Sequence, residues 1–230
     1  MIEVRNLSKK FGKAHALNDV SFQIKEGTIV GILGINGVGK STVLKSIAGV
    51  IRPDKGKILI DGEENNHKLY NKISFVPDMD TYFPNLTIKE TFAFMKDFYK
   101  NWDEEKASSM LKMFNLTDGK IISDLSKGNR ARVKIIIGFA QNAKYILLDE
   151  PFSGIDIFKR EEFIKAMVKY ISSEQSIIIT THEIAEIENI VEEVIILHEG
   201  KVVFNFNVDE VRKNENKSII DKMREVYRGE

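Results

Sequence analysis

The sequence predicts an α/β fold in which helices cover both faces of a parallel sheet. Apolar runs at Ile29–Leu33, Tyr145–Leu148 and Ser176–Thr180 alternate with helix-patterned stretches, which is typical of buried parallel strands. Within Met1–Gln23, apolar residues alternate with polar ones, so this region is expected to form an antiparallel sheet with one wet face. From about residue 78 to residue 141 the pattern is helical. We therefore expect an N-terminal antiparallel β-subdomain and an all-helical insertion subdomain around the parallel core.

The first part of the chain is divided into short elements by turns. The strand Ile29–Leu33 is followed by a helix that is expected to end near Gly49. Beyond a turn rich in Pro, Asp and Gly, strands are predicted at Lys57–Ile60 and Ile73–Val76. The polar residues 63–72 between these two strands indicate an exposed connection.

Three helices are predicted in the insertion. Thr87-Ile88-Lys89-Glu90 has the form of a capping box, a second helix runs from about Asp103 to Phe114, and a third follows Ser126. The large apolar side chains of the first helix are Phe92, Phe94, Met95 and Phe98. Their helical spacing favours core packing over a cofactor-binding role. We divide the chain into a catalytic core, residues 1–77 and 142–230, and a helical subdomain, residues 78–141.

The C-terminal part of the chain again contains the apolar runs that are typical of strands. A helix is predicted at Phe158–Ile171, and Val194–Leu197 and Val202–Phe206 are expected to form a hairpin. The charged stretch from Val208 onward is expected to be helical.

The strongest motif lies between the strand Ile29–Leu33 and the next helix. Its residues are Gly34-Ile35-Asn36-Gly37-Val38-Gly39-Lys40-Ser41, followed by Thr42, and they match the pattern G-x-x-x-x-G-K-S/T of a phosphate-binding loop. Such a loop points successive backbone N–H groups at a triphosphate, which requires glycine where the chain approaches closely. Lys40 would reach the β- and γ-phosphates, and Ser41 would ligate Mg²⁺. A plain glycine turn, the alternative, does not explain the Lys-Ser pair.

Two adjacent carboxylates, Asp149 and Glu150, follow the apolar run Tyr145–Leu148. Ligands of parallel sheets bind at the carboxyl ends of the strands, so this placement favours function over an acidic turn that caps a helix. Asp149 would hold Mg²⁺ through its water shell. Glu150 would be the general base that orients the attacking water.

In this motif order the chain resembles the ATP-binding subunit of an ABC transporter over nearly its full length. The resemblance implies a P-loop NTPase core that binds ATP and Mg²⁺ and hydrolyses ATP. It also implies that Phe11 stacks on adenine and that His182 contacts the γ-phosphate. Leu125-Ser126-Lys127-Gly128-Asn129 matches the family signature, in which Ser126 and Gly128 would meet the γ-phosphate of a second copy. Asp156 would lie in the loop that crosses between the copies.

Taken alone, three of these residues have a structural alternative. Phe11 is compatible with core packing, Ser126 with a helix cap and His182 with a solvated position at a strand end. Their order relative to Lys40 and Asp149 favours the functional interpretation.

The chain departs from the family pattern at two places. Asp78 stands where the family usually has a glutamine near Mg²⁺ and the attacking water, so the resemblance places Asp78 with Ser41 and Asp149 at the metal site. Lys127 and Asn129 replace a signature glycine and glutamine. The Leu-Ser-Lys-Gly form is similar to that of some bacterial exporters of drugs or antibiotic peptides.

Composition limits the partners. The chain has 34 basic and 34 acidic residues, so no overall field attracts nucleic acid, and it has no cysteine for disulfides or thiolate metal sites. No apolar run approaches the length of a membrane span. We expect a cytoplasmic ATPase that attaches to the inner face of the cell membrane through a permease subunit and pairs with a second, identical or different, ATPase subunit.

Two alternative classes fit the sequence less well. A soluble ABC-type ATPase in DNA repair, translation or cluster assembly would need a coiled-coil insertion or usually a second cassette, and neither pattern is present. A P-loop kinase from outside the ABC family fits poorly, because such kinases do not need the signature motif ahead of the two adjacent carboxylates.

Overall fold

The computed structural model describes residues 1–64, 66–79 and 83–228. The strands are β1 (Ile2–Phe11), β2 (Ala14–Ile24), β3 (Ile29–Leu33), β4 (Lys55–Ile60), β5 (Glu63–Glu64), β6 (Ile73–Val76), β7 (Tyr145–Asp149), β8 (Ser176–Thr181), β9 (Glu193–His198) and β10 (Lys201–Asn207). The helices are α1 (Lys40–Ile47), α2 (Ile88–Phe98), α3 (Glu104–Met113), α4 (Lys127–Ala140), α5 (Ile157–Tyr170), α6 (Ile184–Ile187), α7 (Val208–Glu215) and α8 (Ile219–Arg228), with 3₁₀ helices at His67–Lys72 and Ile122–Asp124.

The described strands form two sheets. An antiparallel sheet has the order β2-β1-β4-β5, and a larger sheet has the order β10-β9-β3-β8-β7-β6. In the larger sheet, β9, β3, β8, β7 and β6 run parallel, and β10 returns antiparallel to β9. The predicted α/β fold with a parallel core and an antiparallel sheet is confirmed.

Strand register places the motifs at one edge of the parallel sheet. Leu33 at the end of β3 pairs with Thr181 of β8, and Asp149 at the end of β7 pairs with Thr180. The phosphate loop and the paired carboxylates therefore emerge side by side, at the edge where parallel sheets bind ligands.

The central strands are buried on both faces because the sheet lies between two layers. In β7, Tyr145 and Leu147 pack in a cluster with α1 and the antiparallel sheet. Ile146 and Leu148 pack in the opposite cluster with residues of α4 and α5. This explains why β7 has an uninterrupted apolar run and not an alternating pattern.

The described part of the predicted helical subdomain contains α2, α3 and α4, with one isolated bridge between Thr87 and Ile121. The capping box is present, because Thr87 Oγ1 accepts from the Glu90 N–H and the Glu90 carboxylate accepts from the Thr87 N–H. Residues 80–82 and 229–230 of the predicted subdomains lie outside the described residues. The boundaries between the subdomains stay a prediction.

One expectation about burial was wrong for two of four side chains, and of the described residues in the connection 63–72 only Leu69 is buried, against the expected exposure. On α2, Phe92 and Met95 pack inward, but the side chains of Phe94 and Phe98 are 44% and 59% exposed. The reason is that Phe94 and Phe98 are four residues apart and form a separate stripe on the outside of the helix. In the connection 63–72, Leu69 is buried in the 3₁₀ helix against the antiparallel sheet cluster. None of the described helices combines the length and hydropathy needed to cross a bilayer.

Candidate functional site

The loop between β3 and α1 is pressed against the neighbouring strands. A Cβ at Gly39, whose φ is +109°, would lie 2.4 Å from the Ala16 carbonyl oxygen. A Cβ at Gly34 would lie 2.6 Å from the Leu197 carbonyl oxygen. Both glycines are therefore required by close backbone approach, and the loop is held from β2 on one side and β9 on the other.

Lys40 is held in place by the loop and by Glu150. Its Nζ donates to the carbonyl oxygens of Gly34 at 2.8 Å and Ile35 at 3.2 Å, and lies 3.1 Å from Glu150 Oε1. The Lys40 side chain is 5% exposed. A buried ammonium is costly without partners, and these three acceptors stabilise it at the centre of the loop.

Beneath the loop, Ser41, Asp149 and Thr180 share hydrogen bonds. Asp149 Oδ1 accepts from Ser41 Oγ at 2.8 Å and from Thr180 Oγ1 at 2.7 Å. Asp149 Oδ2 is buried without a hydrogen-bond partner among the described residues. A partnerless buried carboxylate oxygen beside a hydroxyl fits Mg²⁺, which binds one or two protein carboxylates together with substrate phosphates and water.

Glu150 adopts a backbone conformation that is uncommon for a side chain with a Cβ. Its φ is +45°, and its N–H donates to the Thr180 carbonyl oxygen at 3.0 Å. One carboxylate oxygen contacts Lys40, and the other lies 3.0 Å from His182 Nδ1. Strained backbone at a ligand-facing residue is typical of functional sites.

Lys40, Ser41, Glu150 and His182 line one cavity of about 400 Å³, whereas Asp149 and Gly34 are not among its lining residues. The lining residues are Phe11, Ala16, Asn36, Gly37, Gly39, Lys40, Ser41, Thr42, Asp78, Glu150, Ser153 and His182. Phe11 lies with its ring 52% exposed, and the Lys9 ammonium is 5.7 Å from the ring centroid. Phe11 is therefore available to a planar ligand, and the core-packing alternative for it is wrong.

The signature residues and Asp156 lie outside this cavity. Ser126 caps α4 by accepting from the Asn129 N–H at 3.3 Å, so the cap interpretation also holds. Asp156 caps α5, accepting from the Lys159 N–H at 3.1 Å and pairing with its ammonium at 2.9 Å. These hydrogen bonds from Lys159 hold the pKa of Asp156 below its usual range. The Lys159 side chain also packs against Gly128, so the three residues form a separate exposed group.

Sequence reasoning missed two contributors to the site. Thr180 bonds both carboxylate residues, and its signal was a hydroxyl at the end of an apolar strand. Tyr227 of α8 accepts from the Ile35 N–H at 3.2 Å, from a position 192 residues along the chain. No local pattern indicates a contact over that separation.

A sequence model of the family described as ABC transporter matches residues 17–153. The chain belongs to the ABC transporter family. It is 30% identical to the lipopolysaccharide export system ATP-binding protein LptB of Haemophilus influenzae, over 100% of this chain and 98% of the relative. It is 33% identical to the probable sulfate/thiosulfate import ATP-binding protein CysA of Chlorella vulgaris, over 88% and 89%. It is 29% identical to the bacitracin transport ATP-binding protein BcrA of Enterococcus faecalis, over 94% and 72%.

Solved structures of ABC ATPases share the fold. An ATP-binding subunit of an ABC transporter superposes with a TM-score of 0.85 at 26% identity, covering 97% of both chains. A dimeric ATP-binding cassette, MJ0796, in a post-hydrolysis state with ADP and Pi superposes with a TM-score of 0.80 at 28% identity, over 90% of this chain and 98% of the cassette. This chain is thus an ABC transporter ATPase subunit and an ATP-hydrolysing enzyme. Relatives named for import and for export both match it, so membership alone leaves the direction of transport open.

Proposed function

We propose that this ATPase drives an ABC exporter by closing two ATPase subunits around Mg²⁺ and ATP and passing the movement to a membrane-spanning permease. The observation that carries the coupling to a permease is a large groove beside the C-terminal end of α2, with exposed aromatic side chains along it. The chemistry belongs to the cavity at the phosphate loop.

In this cavity, Lys40 and the loop amides hold the phosphates, with Asn36, Gly37, Gly39 and Thr42 lining the same wall. Ser41 and Asp149 would hold Mg²⁺, which when bound would neutralise charge on the phosphates. Glu150 orients the attacking water and accepts its proton, and His182 fixes the second carboxylate oxygen of Glu150. Phe11 stacks on the base at the cavity mouth.

A second subunit completes the site. Ser126 and Gly128 lie at the start of α4 and outside the cavity of their own chain, where they are accessible to another copy. The N-terminal end of a 14-residue helix carries partial positive charge that suits a phosphate. The dimeric state described for the cassette MJ0796 supports pairing. Asp156, exposed at the start of α5, is assigned to the same subunit contact.

This groove has a volume of about 1180 Å³, and its lining mixes the apolar and aromatic residues Val50, Tyr70, Phe98 and Tyr99 with charged residues such as Arg52 and Lys57. Val50 is 63% exposed and Phe98 is 59% exposed. Phe94 extends the surface, with its ring stacked near that of Phe98 at 6.3 Å between centroids. A contiguous exposed apolar surface of this kind marks an interaction site, and we assign it to the permease. This contact would hold the ATPase at the membrane.

Export is favoured by two observations. LptB and BcrA, which match most of this chain, are named for lipopolysaccharide export and bacitracin transport. Lys127 in the signature agrees with the form that resembles exporters of drugs or antibiotic peptides. CysA, named for import, defines the competing direction.

Affinity purification from detergent-solubilised membranes of the native host tests the coupling. The tagged wild-type chain should retain a permease, and Phe98→Asp should lose it, because a charge in the groove must be desolvated. Val168→Asp is the matched control, since Val168 is 54% exposed on α5, away from the groove. Equal recovery with Phe98→Asp overturns the groove assignment, and wild-type chain without any membrane protein supports the soluble ATPase class.

The direction is tested with the purified complex in liposomes, selecting complexes whose ATPase faces outward. ATP-dependent accumulation of labelled bacitracin inside the liposomes supports export, with Glu150→Gln as the inactive control. Transport that runs outward, or that requires an added binding protein inside the liposome, overturns it.

A further inference from the structure

The hydroxyl of Tyr227 joins α8 to the phosphate loop. It donates to the Leu197 carbonyl oxygen at 2.7 Å and accepts from the Ile35 N–H at 3.2 Å. The ring packs edge to face against His198, with centroids 4.9 Å apart. The tyrosine therefore contacts the end of β9 and the second residue of the loop at once.

The Ile35 N–H and the Gly34 carbonyl belong to one planar peptide unit. The N–H of this peptide donates to the Tyr227 hydroxyl, and its carbonyl oxygen accepts from Lys40 Nζ at 2.8 Å. A rotation of the plane moves both groups together. The hydroxyl thus limits the direction in which the carbonyl holds the Lys40 ammonium.

The hydroxyl lies in a closely packed part of the loop. A Cβ at Gly34 would lie 3.2 Å from the Tyr227 hydroxyl oxygen and 2.6 Å from the Leu197 carbonyl oxygen, so the loop is closely packed there. Burial raises the pKa of Tyr227, which keeps the hydroxyl protonated as a donor near neutral pH.

We propose that Tyr227 is a positioning residue of the ATPase site, whose hydroxyl fixes the Gly34–Ile35 peptide so that its carbonyl holds Lys40 in register with the β- and γ-phosphates. The proposal rests on the assignment of Lys40 to the phosphates. It makes α8 part of the nucleotide site, although α8 contributes nothing to the lining of the cavity.

Tyr227→Phe removes the hydroxyl and keeps the ring against His198. We expect the Kd for the non-hydrolysable analogue AMP-PNP to rise about threefold to tenfold, the range for loss of one hydrogen bond. The Kd for AMP, which has no β- or γ-phosphate, should not change. Tyr145→Phe is the matched control. It removes a tyrosine hydroxyl that donates to Asp61 at 2.6 Å, far from the phosphate loop, so the Kd for AMP-PNP and the Kd for AMP should both stay unchanged.

The outcomes separate this proposal from the function on which it rests. If Lys40→Ala loses AMP-PNP affinity and Tyr227→Phe does not, only the role of Tyr227 is overturned. An equal loss for AMP and AMP-PNP in Tyr227→Phe also overturns it, since that pattern indicates general disorder of the site. If Lys40→Ala keeps full affinity, the phosphate-loop assignment fails first.

Hydrogen exchange of the wild-type chain gives a test that needs no variant. The Ile35 amide should exchange more slowly than the Gly37 amide of the same loop, because Tyr227 accepts from it. Equal, fast exchange at both amides overturns the proposal.

Discussion

Lys40 and Glu150 form a largely buried ion pair, with Nζ 3.1 Å from Oε1 and side-chain exposures of 5% and 14%. Each has a separate proposed task, phosphate binding for Lys40 and proton acceptance for Glu150. A triphosphate competes with Glu150 for the ammonium. On the proposed assignment, we expect ATP binding to free the Glu150 carboxylate for the attacking water.

Glu150→Gln should bind ATP at least as tightly as wild type, because Lys40 is no longer neutralised by a carboxylate. Its hydrolysis rate should fall by about 100-fold or more, the contribution of a general base. Calorimetry gives the affinity and phosphate release gives the rate, with the exposed Glu161→Gln as control. Wild-type hydrolysis by Glu150→Gln would contradict the assignment.

Light scattering of the same variant at high ATP and protein concentration tests pairing. Unhydrolysed ATP should hold two copies together, since Ser126 and Gly128 are assigned to the neighbouring site. A monomer under these conditions excludes a homodimer and leaves pairing with a different ATPase subunit.

Lys40→Ala should lower ATP affinity by about 100-fold or more, because a charge-assisted contact to two phosphates is lost and no other side chain supplies it. Lys45→Ala, at the other end of α1, is the control and should bind ATP normally. Calorimetry measures both, and a thermal melt checks that the variants are folded. Unchanged affinity in Lys40→Ala would remove the basis of the proposed site.

Asp78→Gln should hydrolyse ATP faster than wild type when Mg²⁺ is limiting. Asp78 lines the cavity with Glu150, and an ionised carboxylate there adds negative charge beside the γ-phosphate and only accepts hydrogen bonds. The measurement is the hydrolysis rate over a range of Mg²⁺ concentrations. A variant as slow as Glu150→Gln would show instead that Asp78 binds the metal or takes part in catalysis.

Asp61→Asn tests a network distant from the site. Although burial acts to raise it, the pKa of Asp61 is held well below its usual range by hydrogen bonds from the Met1 amine, Tyr145 and Lys144. A lowered native pKa means that the stabilisation is complete above the usual aspartate pKa of about 3.9 and is lost as the pH falls toward the native pKa.

The expected cost of Asp61→Asn is about 1–3 kcal/mol at pH 7. Asparagine keeps the positive φ of +53° at this position, so the backbone contributes little to the difference. Denaturant unfolding at pH 7 and below pH 4 measures the difference in free energy of unfolding between wild type and Asp61→Asn, and this difference should be smaller at low pH. Asp97→Asn on α2 is the exposed control. A difference in free energy of unfolding that does not change with pH would contradict the charge-based explanation.

Sequence patterns predicted strand ends best where a turn residue follows the strand. The strands Ile29–Leu33 and Ile73–Val76 have the predicted bounds, and Gly34 and Pro77 directly follow them. The stripe formed by Phe94 and Phe98 was assigned to the core, because helical spacing identifies an apolar face without identifying what covers it. That depends on which element packs against α2.

The residues of the candidate site also fall into two groups, those that the sequence predicts and those that only the fold brings together. The phosphate loop can be predicted from sequence, because the residues that wrap the phosphates are contiguous in the chain. The contacts of Thr180 with Asp149 and of Tyr227 with Ile35 join distant segments, and only the sheet order brings them together. Short motifs carry chemistry, whereas the residues that orient them are selected by tertiary packing.

The position of Ser126 at the start of α4, outside the cavity of its own chain, has a genetic consequence. If two copies of this chain pair as proposed, a copy with a damaged phosphate loop still offers an intact signature to its neighbour. Cells that carry one Lys40→Ala allele and one Ser126→Ala allele therefore assemble some mixed pairs in which one cavity is complete and the other has both defects. Two alleles that are inactive alone would complement each other in part, and inheritance would follow the pair of subunits and not the single gene product.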